Sequence, residues 1–423
     1  MNVFLYASQY TKYMGGHFRS LLTTAKYLNI GKINAFVGLP ESLKKRNYIE
    51  IKNIFPYEKI VWLPKNRYLP REIFLTKYLQ KVIKKQKIDL IHSFDLSSHI
   101  ISSLYKMIID KNIRICATVC GGTIGHKYPF SYPIIVYSKE LKEMMIKRFQ
   151  FNKNGIFIEK SRMDISLFRK DLENNNLKKL IPGKNDHRKN ILFITRISNL
   201  KINAILLLFE GVVELSEKRK DFRLVMVAFS ENNKLRKFIE KKIEDINKKI
   251  GDEIIVHAKE LSSSSISLYK NFDIIIGVAR VCFEAMMSSK PVILIGERGC
   301  SGIIDVKNKK YLKKLIKTNF SSRELNTTWN VQKVSVSIDY LLNNPKLMHQ
   351  YGIDGKKWVE KHMDAHHLIS AHRKIYQNLL KNEKQKLLLK NDVFYSIIIR
   401  WIAIFVVPIR NFFSIYQKLK NNK

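Results

Sequence analysis

The stretch 272–305, FDIIIGVARVCFEAMMSSKPVILIGERGCSGIID, constrains this chain more than any other. Three isoleucines, Ile274 to Ile276, run into Gly277, the pattern of a strand buried on both faces. A short amphipathic segment, 281–287, carries Glu284. Lys290-Pro291, a second apolar run over 292–295 and a glycine-bearing loop over 296–302 follow. Strand, loop, helix, strand, loop is a βαβ unit, and sheets built from such units bind ligands beyond the carboxyl ends of their strands. Glu284 falls near that edge, where one carboxylate can accept both hydrogen bonds of a ribose diol. The alternative is a surface glutamate on an ordinary Rossmann-like helix.

The same alternation runs through the chain. Apolar runs at 2–6, 35–37, 60–63, 89–92, 113–119, 133–138 and 156–158 are separated by helical periodicity, and a second series follows at 191–194, 224–227, 254–256, 274–276 and 292–295. At 423 residues the chain has room for two cores. The expectation is an α/β protein with two Rossmann-like domains, each with a parallel sheet, and a C-terminal amphipathic tail. The first domain is expected over 1–170 and a linker rich in Asn, Lys and Asp over 171–189. The second is expected over 190–357, returning helices over 358–380 and a basic, apolar tail over 381–423. In the first domain Gly15-Gly16-His17 lies between strand and helix, either a phosphate-approaching loop or a tight turn.

The run from Gly277 to Arg280, then Glu284-Ala285-Met286, then Lys290-Pro291-Val292-Ile293, resembles the donor site of GT-B glycosyltransferases of family 4. The likeness covers about residues 1–380. It implies two domains across a cleft, with the acceptor on the first and a nucleotide-sugar on the second. In the family the helix glutamate holds the nucleotide ribose, the role implied for Glu284. A second glutamate often precedes it by eight residues; here that position is Ile276. Arg196 and Lys201 match the family's diphosphate-gripping pair, an arginine fork and a lysine point charge. Gly277, Arg280, Gly299 and Gly302 complete the implied donor site, and Gly15, Gly16 and His17 the implied phosphate and acceptor loop. Asp164 and Phe168 fit the segment that ends the family's first domain. Where many relatives carry a histidine after the strand 113–119, this chain has Cys120, read as structural. Catalytic histidines are then sought at His92 and His126, with His99 a further option, although a lone histidine is commonly a core or surface residue. The resemblance implies sugar transfer to a lipid-linked or oligosaccharide acceptor of the cell surface, with retention of configuration and no metal or other cofactor. The departures at Ile276 and Cys120 keep a second reading open: a GT-B protein without catalysis that serves as a scaffold.

Lys and Arg number 76 against 36 Asp and Glu, a formal charge of +40. That suits nucleic acid, an anionic membrane or phosphorylated substrates. No nucleic-acid-binding motif accompanies it, so a nucleic-acid partner is not expected. Four cysteines (Cys116, Cys120, Cys282, Cys300) lack metal spacing and suit a reducing compartment. The histidines 362, 366, 367 and 372 read as a solvated helix face. The tail 391–423 joins an apolar run with Arg400 and Pro408 inside it to interfacial aromatics and flanking lysines. It is expected to lie on an anionic membrane, which would make the protein cytoplasmic and peripheral on the inner face of the cell membrane.

Overall fold

A computed structural model describes residues 1–9, 14–65, 71–121, 133–149, 153–169, 187–230, 232–258, 266–325 and 329–381. His126, the linker 171–186 and the tail 391–423 lie outside the described residues. The chain forms two compact units. Unit 1 holds Met1–Tyr137, Leu141–Glu159 and the chain from Leu368; unit 2 holds Ser138–Glu140 and Lys160–His367.

The strands of unit 1 are β1 (Asn2–Tyr6), β2 (Asn34–Pro40), β3 (Ile60–Leu63), β4 (Leu90–Ser93), β5 (Arg114–Val119), β6 (Ile134–Val136) and β7 (Ile156–Ile158). They form one parallel sheet in the order β3-β2-β1-β4-β5-β6-β7. Between them run α1 (Gly16–Ile30), α2 (Lys44–Ile54), α3 (Arg71–Gln86) and α4 (Leu96–Ile108). The helix α5 (Lys139–Phe149) follows β6. Phe4 and Tyr6 of β1, Ile91 of β4 and Ile115 of β5 pack on Leu75 and Leu79 of α3 and Ile101 and Tyr105 of α4.

Unit 2 opens with the short α6 (Ser166–Arg169). It continues through β8 (Lys189–Arg196), α7 (Ile202–Ser216), β9 (Phe222–Phe229), α8 (Asn233–Ile250), β10 (Ile255–His257) and α9 (Ile266–Lys270). Then come β11 (Ile274–Gly277), α10 (Arg280–Met287), β12 (Val292–Gly296), β13 (Gly299–Ile303), α11 (Lys309–Lys317), α12 (Val331–Asn343) and α13 (Pro345–His362). The sheet order is β10-β9-β8-β11-β12-β13, parallel except for β13. Why its strands read as unbroken apolar runs is visible in the packing. Leu192, Ile194 and Ile275 turn to one face with Phe283, Met286 and Val359. Ile191, Phe193, Ile274 and Ile276 turn to the other with Leu208, Val212 and Ile338. Alternation within a strand therefore selects between two cores, and neither face tolerates polar residues.

Two expected boundaries move. The chain enters unit 2 at Lys160, not after 170, because Met163 and Ile165 sit in that unit's core. Met163 also bonds the backbone of Met363 and Ala365. The return to unit 1 begins at Leu368, not at 358, because Val359 and Met363 remain in the unit 2 core. The last described helix, α14 (His367–Lys381), then places Tyr376 beside β4 of unit 1.

Candidate functional site

The sheet of unit 2 reverses direction between β8 and β11. From β8 the chain winds outward through β9 and β10, then crosses back to lay β11 on the other side of β8. Loops leaving such a switch point diverge and open a crevice at the carboxyl ends of the strands. The two loops here carry the residues singled out above: Arg196 to Lys201 after β8, and Val278 to Arg280 after β11.

The β11–α10 connection is tight. A Cβ on Gly277 would lie 2.4 Å from Val281 Cγ1, so a glycine is needed. Ala279, the residue before the helix, holds φ 51°, ψ −117°, a conformation that favours glycine. Its N–H donates to Phe320 O at 2.6 Å. Phe320 belongs to a loop, 318–324, in which Asn319, Phe320 and Ser322 also have positive φ. That loop reaches the β12–β13 turn as well: Ser322 Oγ accepts from Arg298 N at 3.1 Å. Four left-handed non-glycine residues thus gather around one sheet edge, as occurs where a ligand site fixes backbone shape.

Arg196 is exposed at the end of β8, whereas Lys201 is partly buried. Burial pulls the Lys201 ammonium below the ordinary lysine range; Glu297 opposes that pull, and Arg323 and Arg196 add to it. Arg323 also sets Nη1 3.8 Å from Glu297. Between Arg196 and Lys201, Ser198 accepts the N–H of Lys201 through its carbonyl at 2.8 Å. Its buried hydroxyl has no hydrogen-bond partner. The expected pair is therefore brought together in one basic cluster, with Arg323 and Glu297 as members that sequence spacing does not reveal.

Glu284 differs from expectation. Its side chain is only 5% exposed. Oε2 accepts from the Tyr269 hydroxyl at 2.7 Å and Oε1 from Arg280 Nε at 2.8 Å. A ribose diol would share this carboxylate with both of them or displace one. Arg280 Nη1, by contrast, is buried without a hydrogen-bond partner, a costly state for a charged group. Glu284 thus aims Arg280, and an unmet donor lies beside the crevice.

The glycine loop expected at 296–302 is a hairpin. β13 runs antiparallel to β12 and pairs Gly299 with Gly296 and Gly302 with Leu294. Positive φ at Gly299 and Gly302 (112° and 96°) lets a buried strand follow the turn Glu297-Arg298 at once. A Cβ on Gly302 would lie 3.3 Å from Lys333 Cε, and this glycine stands inside β13 at its positive φ.

In unit 1 the sheet reverses between β1 and β4. Asp95 closes that point. Its Oδ2 accepts the N–H groups of Ser8 (2.7 Å) and Gln9 (2.9 Å), and Oδ1 that of Ser98 in a capping box on α4. Gly15 caps α1 and Gly16 has open space where a Cβ would stand. His17 is half-buried, its ring 4.0 Å from that of Phe18. His92 is a core residue: Nδ1 bonds the Tyr376 hydroxyl and Nε2 that of Thr118, both at 2.7 Å, in full burial. Both nitrogens are committed, which corrects its candidacy as a catalytic base. His99 is also fully buried. Cys120 lies near Phe94 O and the Tyr137 hydroxyl. Burial pushes its thiol up to about 12, with Tyr137 opposing and Asp95 assisting, so it stays a neutral thiol at physiological pH. No group of three or more metal-ligating side chains occurs among the described residues. No described helix is long and apolar enough to cross a membrane.

Solved structures share this arrangement along most of their length. A glycosyltransferase from Rickettsia africae matches with a TM-score of 0.64 and 18% identity, over 90% of this chain and 99% of its own. HepE of Anabaena, in complex with UDP and glucose, gives 0.65 and 14%, over 89% and 99%. The UDP-GlcNAc 2-epimerase of Neisseria meningitidis, bound to UDP-GlcNAc, gives 0.57 and 14%, over 90% and 100%. This is the GT-B fold. No protein-family model and no curated protein matches the sequence, so the GT-B likeness rests on backbone shape. In GT-B terms, unit 2 with its basic switch-point cluster takes the place of the second Rossmann-like domain.

Proposed function

We propose that the chain is a family 4-like glycosyltransferase that moves a sugar from a nucleotide-sugar to a hydroxyl of a lipid-linked or oligosaccharide acceptor. The observation that carries this reading is the convergence of Arg196, Lys201 and Arg280 on one sheet switch point, beside a carboxylate and a strained backbone. The acceptor oxygen bonds to the anomeric carbon, the bond to the diphosphate breaks, and the acceptor proton leaves with solvent or base. The departing diphosphate gains charge. Lys201 meets that charge in a partly buried setting, where such contacts weigh most, and Arg196 meets it from the exposed end of β8. Arg280 Nη1 supplies a further donor, and Glu284 receives the ribose once Arg280 turns to the ligand. Retention belongs to the same reading through the family resemblance, and metal independence because fixed cations take the place of a metal. The tail 391–423 keeps the enzyme on the inner face of an anionic membrane.

Neighbours of this fold bound to UDP and to UDP-GlcNAc make uridine diphosphate sugars the first donors to try. A thermal-shift screen of the full chain tests the reading. A ligand at a hundred times its dissociation constant stabilises by about 2.7 kcal/mol. The expected result is a rise with one nucleotide class, lost in Arg196→Ala and in Lys201→Ala, followed by sugar transfer with that donor.

A second reading has its own observation. Glu284 is engaged by Tyr269 and Arg280, and Ile276 stands where relatives place a sugar-contacting glutamate, as a scaffold protein without catalysis would allow. Donor binding without transfer or donor hydrolysis would favour the scaffold.

A further inference from the structure

The helix that leads into the loop 318–324 carries a second charged feature. The helix α11 reads KKYLKKLIK, five lysines in nine residues, where the whole chain has 76 Lys and Arg in 423. At 100° per residue the five lysines fall on one arc, with Tyr311, Leu312, Leu315 and Ile316 opposite. The structure obeys that division. Leu312 and Leu315 are buried in the core with Ile316 packed beside them, Tyr311 donates to Ser301 O at 3.0 Å, and all five lysines are exposed.

At the start of the helix this charge works against folding, although Lys314 and Lys317 in the last turn suit the dipole. Lys309 and Lys310 occupy the first turn, where the helix dipole repels cations and no acidic residue offsets them. Lys309 with Lys313, Lys310 with Lys314 and Lys313 with Lys317 are like-charge pairs one turn apart, an unfavourable spacing. The nearest carboxylates are engaged elsewhere. Asp305 accepts the N–H groups of Lys307 and Asn308. Asp354 pairs with Lys307, and Glu324 accepts the Ser301 and Thr318 hydroxyls. Lys309, Lys310, Lys313 and Lys314 have no ion-pair or hydrogen-bond partner among the described residues. Lys307 and Lys357, both near Asp354, extend the basic surface onto α13.

We infer that the lysine face of α11 is a docking surface for an anionic lipid bilayer, separate from the tail 391–423. Its chemistry selects that partner. Lysine ammoniums are point charges without the planar fork that reads a fixed phosphate geometry, and they suit mobile anionic headgroups, each near-surface charge strengthening binding about fivefold. Single-stranded nucleic acid is disfavoured because single strands use exposed aromatics to stack on, and the one aromatic of this helix faces inward; duplexes are discriminated by the test below. The inference does not depend on sugar transfer.

The test uses the full chain and a variant carrying Lys309→Gln, Lys310→Gln, Lys313→Gln and Lys314→Gln. Each is titrated with phosphatidylcholine vesicles and with vesicles in which part of that lipid is replaced by phosphatidylglycerol. The variant should bind anionic vesicles at least tenfold more weakly at low salt. The deficit should shrink as salt shortens the screening length to about 8 Å. Its melting temperature should stay close to that of the parent, because the repulsion removed among the four lysines offsets the last-turn interaction lost at Lys314. Three results overturn the inference. One is equal anionic-vesicle binding by both chains. Another is a deficit that is the same on neutral vesicles. The third is a parent that prefers mixed RNA or DNA to anionic vesicles at matched salt and loses that preference in the variant.

Discussion

Ala279 is the residue where this structure stores backbone strain most plainly. Its φ of 51° and ψ of −117° suit glycine, and an alanine held at positive φ costs on the order of 1 kcal/mol or more. Ala279→Gly should therefore raise stability by about 1 kcal/mol, read as a higher urea midpoint at unchanged slope; an unchanged or lower midpoint would contradict the assigned strain. Lys201 makes the complementary case for charge. Its depressed pKa, set first by burial, means the ammonium is lost earlier in alkali than an ordinary lysine's. A bound diphosphate favours the charged form. In the proposed donor role, nucleoside diphosphate affinity should therefore fall as pH rises toward the usual lysine range. Lys201→Arg, whose guanidinium stays charged, should flatten that fall in a calorimetric titration. A wild-type affinity that is level in alkali would remove Lys201 from the clamp.

Helix α13 bears on the site from a distance. Gly352 approaches the α10–β12 connection so closely that a Cβ would lie 2.1 Å from Ser289 O, and Gly355 would meet Met286 Cγ at 2.8 Å. The first neighbour is backbone and cannot turn aside. Gly352→Ala should cost about 1–3 kcal/mol and weaken nucleotide binding by moving α10, which carries Arg280 and Glu284. Loss of stability with donor affinity intact would uncouple the helix from the site. Helix α14 is held to unit 1 by Tyr376 on His92, Arg373 on Gly31 O and Leu379 O on Arg114. Burial holds the His92 imidazole well below its usual range, and the neighbouring His372 and His99 add to that. Below about pH 6.5 the unfolded chain takes up a proton that folded His92 refuses. Stability is therefore complete above that pH and falls by about 1.4 kcal/mol per unit as pH drops. Denaturant midpoints from pH 7.5 to 5 check the slope, and a flat profile would mean that His92 is not held neutral.

At the scale of the whole molecule, the strands were legible because both faces of each sheet are covered. A run such as Ile274 to Ile276 has only one place in a fold of this kind. The switch-point cluster was legible in part. Arg196 and Lys201 sit in a fixed register after a strand, but Glu297 and Arg323 join them only through the loop 318–324, whose positive φ angles fall on Asn, Phe and Ser and leave no glycine to mark it. Tyr269, which fills Glu284, belongs to a helix before β11 and announces nothing by spacing. The hairpin of β12 and β13 was hidden for the opposite reason: its glycines resemble a loop. The units also differ in their dependence on the last helix. A chain ending at His367 loses Tyr376, Arg373 and Leu379, the partners of His92, Gly31 O and Arg114 in unit 1. Each buried group left unpaired costs about 1–3 kcal/mol. Amide exchange in β1 and β4 should accelerate in that chain while β8 and β11 keep their protection, and equal acceleration in both sheets would refute the asymmetry.

Nearly all of unit 2 is one continuous passage, Lys160–His367, enclosed between two parts of unit 1. On the ribosome that nesting sets an order of events. Domains fold as they emerge, so the inner unit can close while the outer one still lacks its final helix. His92 is synthesised early and waits for Tyr376 until almost the whole described chain has been made. The amino-terminal sheet therefore passes through translation without the Tyr376 bond to His92, and it is this unit, although made first, that is finished last.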